Sequence, residues 1–344
     1  MRNKDDIRRF VEFSNKLGER IDYVQGGGGN TSYKVDEQTM LIKASGFYLS
    51  QITEQNGFAI LNFPEIRKFF NQEGLDELDD IEAAGSAAVK SAKIHVDGYP
   101  ELRPSVEAGF HSILGTWVAH SHSVYTSIIL CSKKARELLH TIFPDHDYIY
   151  VPYVNPGSRL TAEVNKEMQH YAAENGTVPH VIFMQNHGII VHADDMEACF
   201  NLHEQVNETI CDYFRIDSSA YPEVAVEESG DDCYISATDY LIESLKDGRY
   251  SEEFLLQHPL YPDQIVYLKD VLGNTARIDS ASGKISYHLP YKQALLLEQA
   301  LTAIVFIMNH IEENNLGIQF MHDSEQDFIK NWESEKYRKE LAEK

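Results

Sequence analysis

The stretch Thr116-Trp117-Val118-Ala119-His120-Ser121-His122 runs from β-branched and aromatic residues into two histidines one residue apart. Thr, Trp and Val fit a pleated, half-buried surface, so the spacing predicts a strand. Strand side chains alternate between faces, which points His120 and His122 the same way. Two neutral imidazoles side by side suit a divalent ion such as zinc. A His-x-His pair still needs a third ligand. Val178–Met184 supplies a second strand signal, reaching Gln185-Asn186-His187-Gly188 and resuming as Ile189-Ile190-Val191. Asn-His-Gly therefore reads as a tight bend between strands, from which His187 can project into a cleft.

Outward from this pair, helices and strands interleave, which favours α/β or α+β. Ile7, Phe10, Val11 and Phe13 predict a first helix over about residues 6–17. Met40–Lys43 reads as a strand, and Met196, Cys199, Phe200 and Leu202 as a helix capped by Asp194 or Asp195. A polar stretch near residues 216–232 suggests a boundary, giving domains 1–215 and 216–344. Beyond it, Gln264–Leu268 and Lys284–His288 read as strands and Ala294–Met308 as a buried helix. Asp323-Ser-Glu-Gln326 fits a capping box opening a last helix that carries Trp332.

A net charge of −24 excludes nucleic acid and an anionic membrane surface as expected partners, since both need clustered Lys and Arg. The longest apolar run, around Ala303–Met308, is too short to span a bilayer. Four cysteines without CxxC pairing imply a reducing compartment. No apolar stretch follows the charged N-terminus, so a cytoplasmic location is expected.

Two further segments carry chemistry. Glu107 follows Pro104-Ser105-Val106, which places it on a turn or helix start. There it either complements a helix dipole or serves a site. Gly26–Gly29 with Asn30, and Ser45-Gly46, either form tight turns or offer backbone N–H groups and short side chains to an anion.

Together, Gly28-Gly29-Asn30-Thr31-Ser32, Lys43-Ala44-Ser45-Gly46, Pro104-Ser105-Val106-Glu107 with His111, His120-Ser121-His122, Pro156-Gly157-Ser158 and Asn186-His187-Gly188 resemble the class II aldolase/adducin superfamily over about residues 1–215. The resemblance implies a three-layer α/β/α fold, with a mainly antiparallel central sheet between helices; residues 216–344 read as an extra C-terminal α+β region. It implies that His120, His122 and His187 bind zinc or another divalent metal and that Glu107 is the catalytic acid/base. Gly29, Asn30, Ser45, Gly46 and Ser105 would hold a phosphate. The implied activity is reversible cleavage of a ketose 1-phosphate to dihydroxyacetone phosphate and an aldehyde, by a homo-oligomer such as a tetramer. A pentulose-phosphate 4-epimerase, a decarboxylase or lyase on an unphosphorylated substrate, and a non-catalytic adducin-like scaffold are the alternatives. Many sugar-phosphate members carry a second serine where this chain has Val106, and the long C-terminal region is absent from the short aldolases.

Overall fold

The computed structural model describes residues 4–145 and 147–331. In chain order it begins with α1 (Lys4–Gly18), β1 (Asn30–Lys34), β2 (Thr39–Lys43), β3 (Phe58–Asn62), α2 (Phe63–Phe70), α3 (Ile81–Ser91), α4 (Ala108–Ile113) and β4 (Trp117–Ser121). There follow α5 (Val124–Leu130), α6 (Ala135–Ile142), β5 (Ile149–Val151), α7 (Ser158–Asn175), β6 (Val181–Met184), β7 (Gly188–Ala193) and α8 (Met196–Phe214). The remainder comprises β8 (Val226–Gly230), β9 (Cys233–Ser236), α9 (Asp239–Leu245), α10 (Glu252–Gln257), α11 (Pro262–Leu268), β10 (Ala276–Ile278), β11 (Ile285–His288), α12 (Tyr291–Glu313) and α13 (Asp323–Asn331). Two compact units result, with boundaries after His122, Ile142 and Asn207.

The first unit is built on a seven-stranded sheet of order β3-β2-β1-β4-β7-β6-β5. Its pairs are antiparallel apart from β5 with β6. Helices α2, α3, α4 and α7 cover one face. Ile66 and Phe70 of α2 pack with Met40, Ile42 and Leu61 of the sheet, and Phe110, Leu160 and Val164 pack with Val118, Ile182 and Ile190. The other face takes α1 and α8. Phe13 meets Trp117 edge-on at 5.2 Å, and the Cys199 thiol donates to the carbonyls of Trp117 and Val191 at 3.5 Å. With helices on both faces, every residue of β4 is buried, the polar His120 and Ser121 at its end included.

One buried cation fixes the helix that matters most for the site. The Lys34 ammonium, at the end of β1, donates to the carbonyls of His111, Leu114 and Gly115 at 2.8, 2.7 and 2.6 Å. These satisfy carbonyls left unpaired at the C-terminal end of α4. The Arg67 guanidinium adds a bond to Ser112 O at 3.0 Å. Burial and Arg67 hold the Lys34 value well below that of a free lysine.

In the second unit, a four-stranded antiparallel sheet of order β10-β11-β9-β8 accompanies α12. At 23 residues, α12 is longer than the apolar run implies, and by length and composition it could cross a bilayer; 83% of its apolar window is buried inside the protein. Helix α5 is buried at every residue, and Tyr125 meets Phe306 of α12 edge-on at 6.2 Å. The link after α5 is tied to the C-terminal region by Lys133 N–H to Gly317 O at 2.8 Å and Gln319 N–H to Cys131 O at 2.7 Å. Residues 123–142 therefore group with the C-terminal part, a non-local exchange, whereas the sequence places a division at 215/216. A chain ended after Phe214 would leave α5 uncovered.

Two local readings also change. Gln264–Leu268 is helical, not a strand: it lies in α11, which opens with Pro262 at its first position and Asp263 in its first turn. Pro is pre-set for that position because its missing N–H would be unpaired there anyway. At α13 the reach-back partner is Glu325, whose carboxylate accepts from His322 N–H at 2.7 Å, rather than Gln326. Trp332 lies outside the described residues.

A buried acid joins α12 to the sheet of the second unit. Glu298 accepts from the Tyr287 hydroxyl and from Thr238 N–H at 3.3 Å. Burial raises its value to about 7, against the pull of those two bonds. The folded chain then keeps a proton that the unfolded chain has lost between about pH 4.5 and 7, so stability falls as pH rises through that window and levels off above it. Replacing Glu298 by Gln is expected to remove this slope, which amounts to about 3 kcal/mol at most. Thermal melts of both proteins from pH 4.5 to 8 measure the difference; parallel pH profiles would exclude it.

Candidate functional site

Antiparallel register brings the site together. Asn30 of β1 faces His120 of β4, which on its other side faces Ile190 of β7. The His120 Nδ1–H donates to Ile189 O at 2.9 Å, which turns Nε2 toward His122 and Glu107. His122 Nε2 lies 3.1 Å from that atom. His187 arrives on the β6–β7 hairpin, where Asn186 takes a left-handed φ of 50° that Asn tolerates better than most residues. Its ring centroid is 5.0 Å from that of His120 and 5.3 Å from that of His122. All three rings are buried, and one nitrogen from each lies within 4.8 Å of the others.

Glu107 occupies the N-cap of α4, yet its carboxylate makes no capping bond. Instead Oε1 lies 3.4 Å from His120 Nε2 and 3.2 Å from His187 Nε2. Burial pushes the acid up, but His120 and His187 outweigh it and hold Glu107 well below the usual carboxylate range. Burial also lowers His187 to about 4, against the opposing pull of Glu107. Ring nitrogens of three imidazoles and a carboxylate converge on one buried point. That donor set fits a divalent cation, and the buried triad could hold one.

Two glycines allow the backbones to close around the motif. A Cβ on Gly188 would lie 2.3 Å from Ser121 O, and one on Gly29 would lie 2.8 Å from His120 O. Gly29 also has φ +65°, a second reason for glycine there.

The five residues expected to hold an anion fall in the same region. The Asn30 side chain is buried beside His120, and neither its amide nitrogen nor its oxygen has a partner among the described residues. Ser45 N–H donates to Arg103 O at 2.9 Å and Ser105 N–H to Lys43 O at 3.3 Å, which pairs the two serine-bearing segments. Gly46 has φ +84°. Lys43 donates to Gly27 O and Phe47 O at 2.9 Å and ties the glycine run to the Ser45-Gly46 turn, a role not apparent from the sequence. Its place inside a buried strand was the available signal, because a lysine there must find acceptors. His111, by contrast, is buried against Ser32 at 2.8 Å, apart from the three imidazoles.

Residues 8–213 match the family model of the class II aldolase and adducin N-terminal domain. The chain belongs to that family. A search of curated protein sequences gives no match. Among solved structures, the N-terminal class II aldolase domain of a conserved protein from Thermoplasma acidophilum aligns at a TM-score of 0.51 and 22% identity, over 62% of this chain and 96% of that one. An L-fuculose 1-phosphate aldolase aligns at a TM-score of 0.42 and 18% identity, over 62% of this chain and 86% of that one. The class II aldolase fold, a large central sheet flanked by helices, is thus the fold of this chain's first unit.

Within this class II aldolase family site, replacing His122 by Ala is expected to abolish metal retention, read by elemental analysis of the purified protein. Full occupancy in that variant would remove His122 from the ligand set. Gly188→Ala must push Ser121 O away and open the β4–β7 contact. Overpacking of this kind costs roughly 1–3 kcal/mol, and a melt unchanged from wild type would show that the contact yields freely.

Proposed function

We propose that the chain is a zinc-dependent class II aldolase, reversibly cleaving a ketose 1-phosphate to dihydroxyacetone phosphate and an aldehyde. The observation that carries this reading is the Glu107 carboxylate, buried at a helix N-cap but turned away from it toward His120 and His187. A helix-dipole role would have put the acid on its own backbone N–H groups. A non-catalytic scaffold has no need of a buried acid against three histidines. His120, His122 and His187 would hold the ion, which supplies Lewis-acid stabilisation of negative charge on a substrate oxygen.

The chain's own residues do the rest. In the condensation direction Glu107 takes a proton from the carbon beside the ketone; in cleavage it returns one. The unpartnered Asn30 amide donates to the substrate phosphate, with the Ser45 and Ser105 hydroxyls and the N–H groups at Gly29 and Gly46 around it. Val106 supplies no hydroxyl to that grip. As the sequence implies, the enzyme would work as a cytoplasmic homo-oligomer with no nucleic-acid or membrane partner.

Glu107→Gln keeps size and hydrogen bonding but cannot accept a proton at neutral pH. It is expected to retain the fold and to lower turnover by roughly 10²–10⁴-fold, as loss of a general base does. Deuterium exchange into dihydroxyacetone phosphate reads the proton step without knowledge of the aldehyde; wild-type exchange in the Gln variant would refute the role. Asn30→Ala is expected to weaken binding of the same compound about tenfold or more. Equal turnover of a ketose phosphate and its free sugar would instead favour a lyase acting on an unphosphorylated substrate.

A further inference from the structure

Behind the three imidazoles, on the opposite face of the sheet, lies a buried histidine that the proposed reaction does not use. Strand alternation turns Ser121 away from His120 and His122, toward α8. Its hydroxyl sits 2.7 Å from His203 Nε2, and both residues are fully buried. The other ring nitrogen, Nδ1, faces the Asn207 amide nitrogen at 3.4 Å, and that amide also donates to His203 O at 2.8 Å. An amide N–H can only donate, so Nδ1 accepts and Nε2 carries the hydrogen that it gives to Ser121. Tyr23 meets the His203 ring edge-on, with centroids 4.8 Å apart and planes at 75°, and keeps it from turning.

The ladder explains why such a bond matters. Pairing of β4 with β7 ends at Ser121 with Ile189, one residue before His122. His122 therefore lies past the last ladder pair, and its direction depends on the peptide that precedes it. That peptide is confined laterally by Gly188, on which no Cβ would fit beside Ser121 O, and from behind by His203.

We propose that His203 is a positioning residue for the metal site, acting through Ser121 to aim His122 at His120 and His187. This rests on the three histidines being metal ligands. The test uses the full-length protein, Zn²⁺ with a competing chelator for affinity, and Co²⁺ for the ligand-field spectrum. Ser121→Ala and His203→Phe are each expected to weaken Zn²⁺ about tenfold or more, as loss of an outer-shell partner does, and to alter the Co²⁺ bands. The double variant should be no weaker than either single one, and His203→Gln, which can still donate to Ser121, should keep near-normal affinity. Wild-type affinity and spectrum in Ser121→Ala would overturn the proposal even if His203→Phe fails to fold. Gln as weak as Phe would also overturn it, by assigning the effect to ring packing. Wild-type protein that binds neither ion would overturn the metal reading itself, a result separable from the others because it needs no variant.

Discussion

Three backbones come unusually close where β4 ends. Gly29 on one side and Gly188 on the other have no side chain, and any Cβ there would strike the carbonyls of His120 or Ser121. This approach lets the β4 ladder run to Ser121, sets Asn30 across from His120, and carries His187 in on the β6–β7 hairpin. Buried polar groups in such a place must be paired or must wait for a ligand. The His120 Nδ1–H finds Ile189 O, whereas the side chain of Asn30 and the His187 Nδ1 find no partner among the described residues.

Strand β4 serves two purposes through its two faces. Val118 and His120 look toward α4 and α7, Trp117 and Ser121 toward α1 and α8. The first face brings a carboxylate from the start of α4, a helix whose far end is pinned by Lys34 and Arg67. Because α4 has only six residues, holding its last carbonyls in place also holds its N-cap. Rigid support on both sides is what a preorganised site needs, since small displacements of reacting groups are costly.

Much of this was legible in the sequence where the signal was local. His120 and His122 share a face because strands alternate, and the Asn-Gly flanks of His187 announced the bend. Glu107 was placed at a helix start, but whether its carboxylate capped that helix or served a site depended on His120 and His187, far along the chain. At Gln264–Leu268, Ile-Val-Tyr-Leu suits a strand as well as a helix, and Pro262 is the deciding cue. The grouping of residues 123–142 with the C-terminal region rests on contacts across more than a hundred residues, and no local pattern encodes them. His203 gave no signal either: a histidine on an apolar helix face is ordinarily a satisfied core residue.

That grouping has a consequence during synthesis. Val124–Leu130 leaves the ribosome long before its main partner, α12, which ends at Glu313. At about 5–20 residues per second, a helix bearing Val124, Ile128, Ile129 and Leu130 waits roughly ten to thirty seconds for the surface that covers it. The nascent chain therefore exposes an adhesive segment beside the histidine motif for most of its translation. Slower elongation lengthens that wait, so folding of this segment is coupled to the completion of α12.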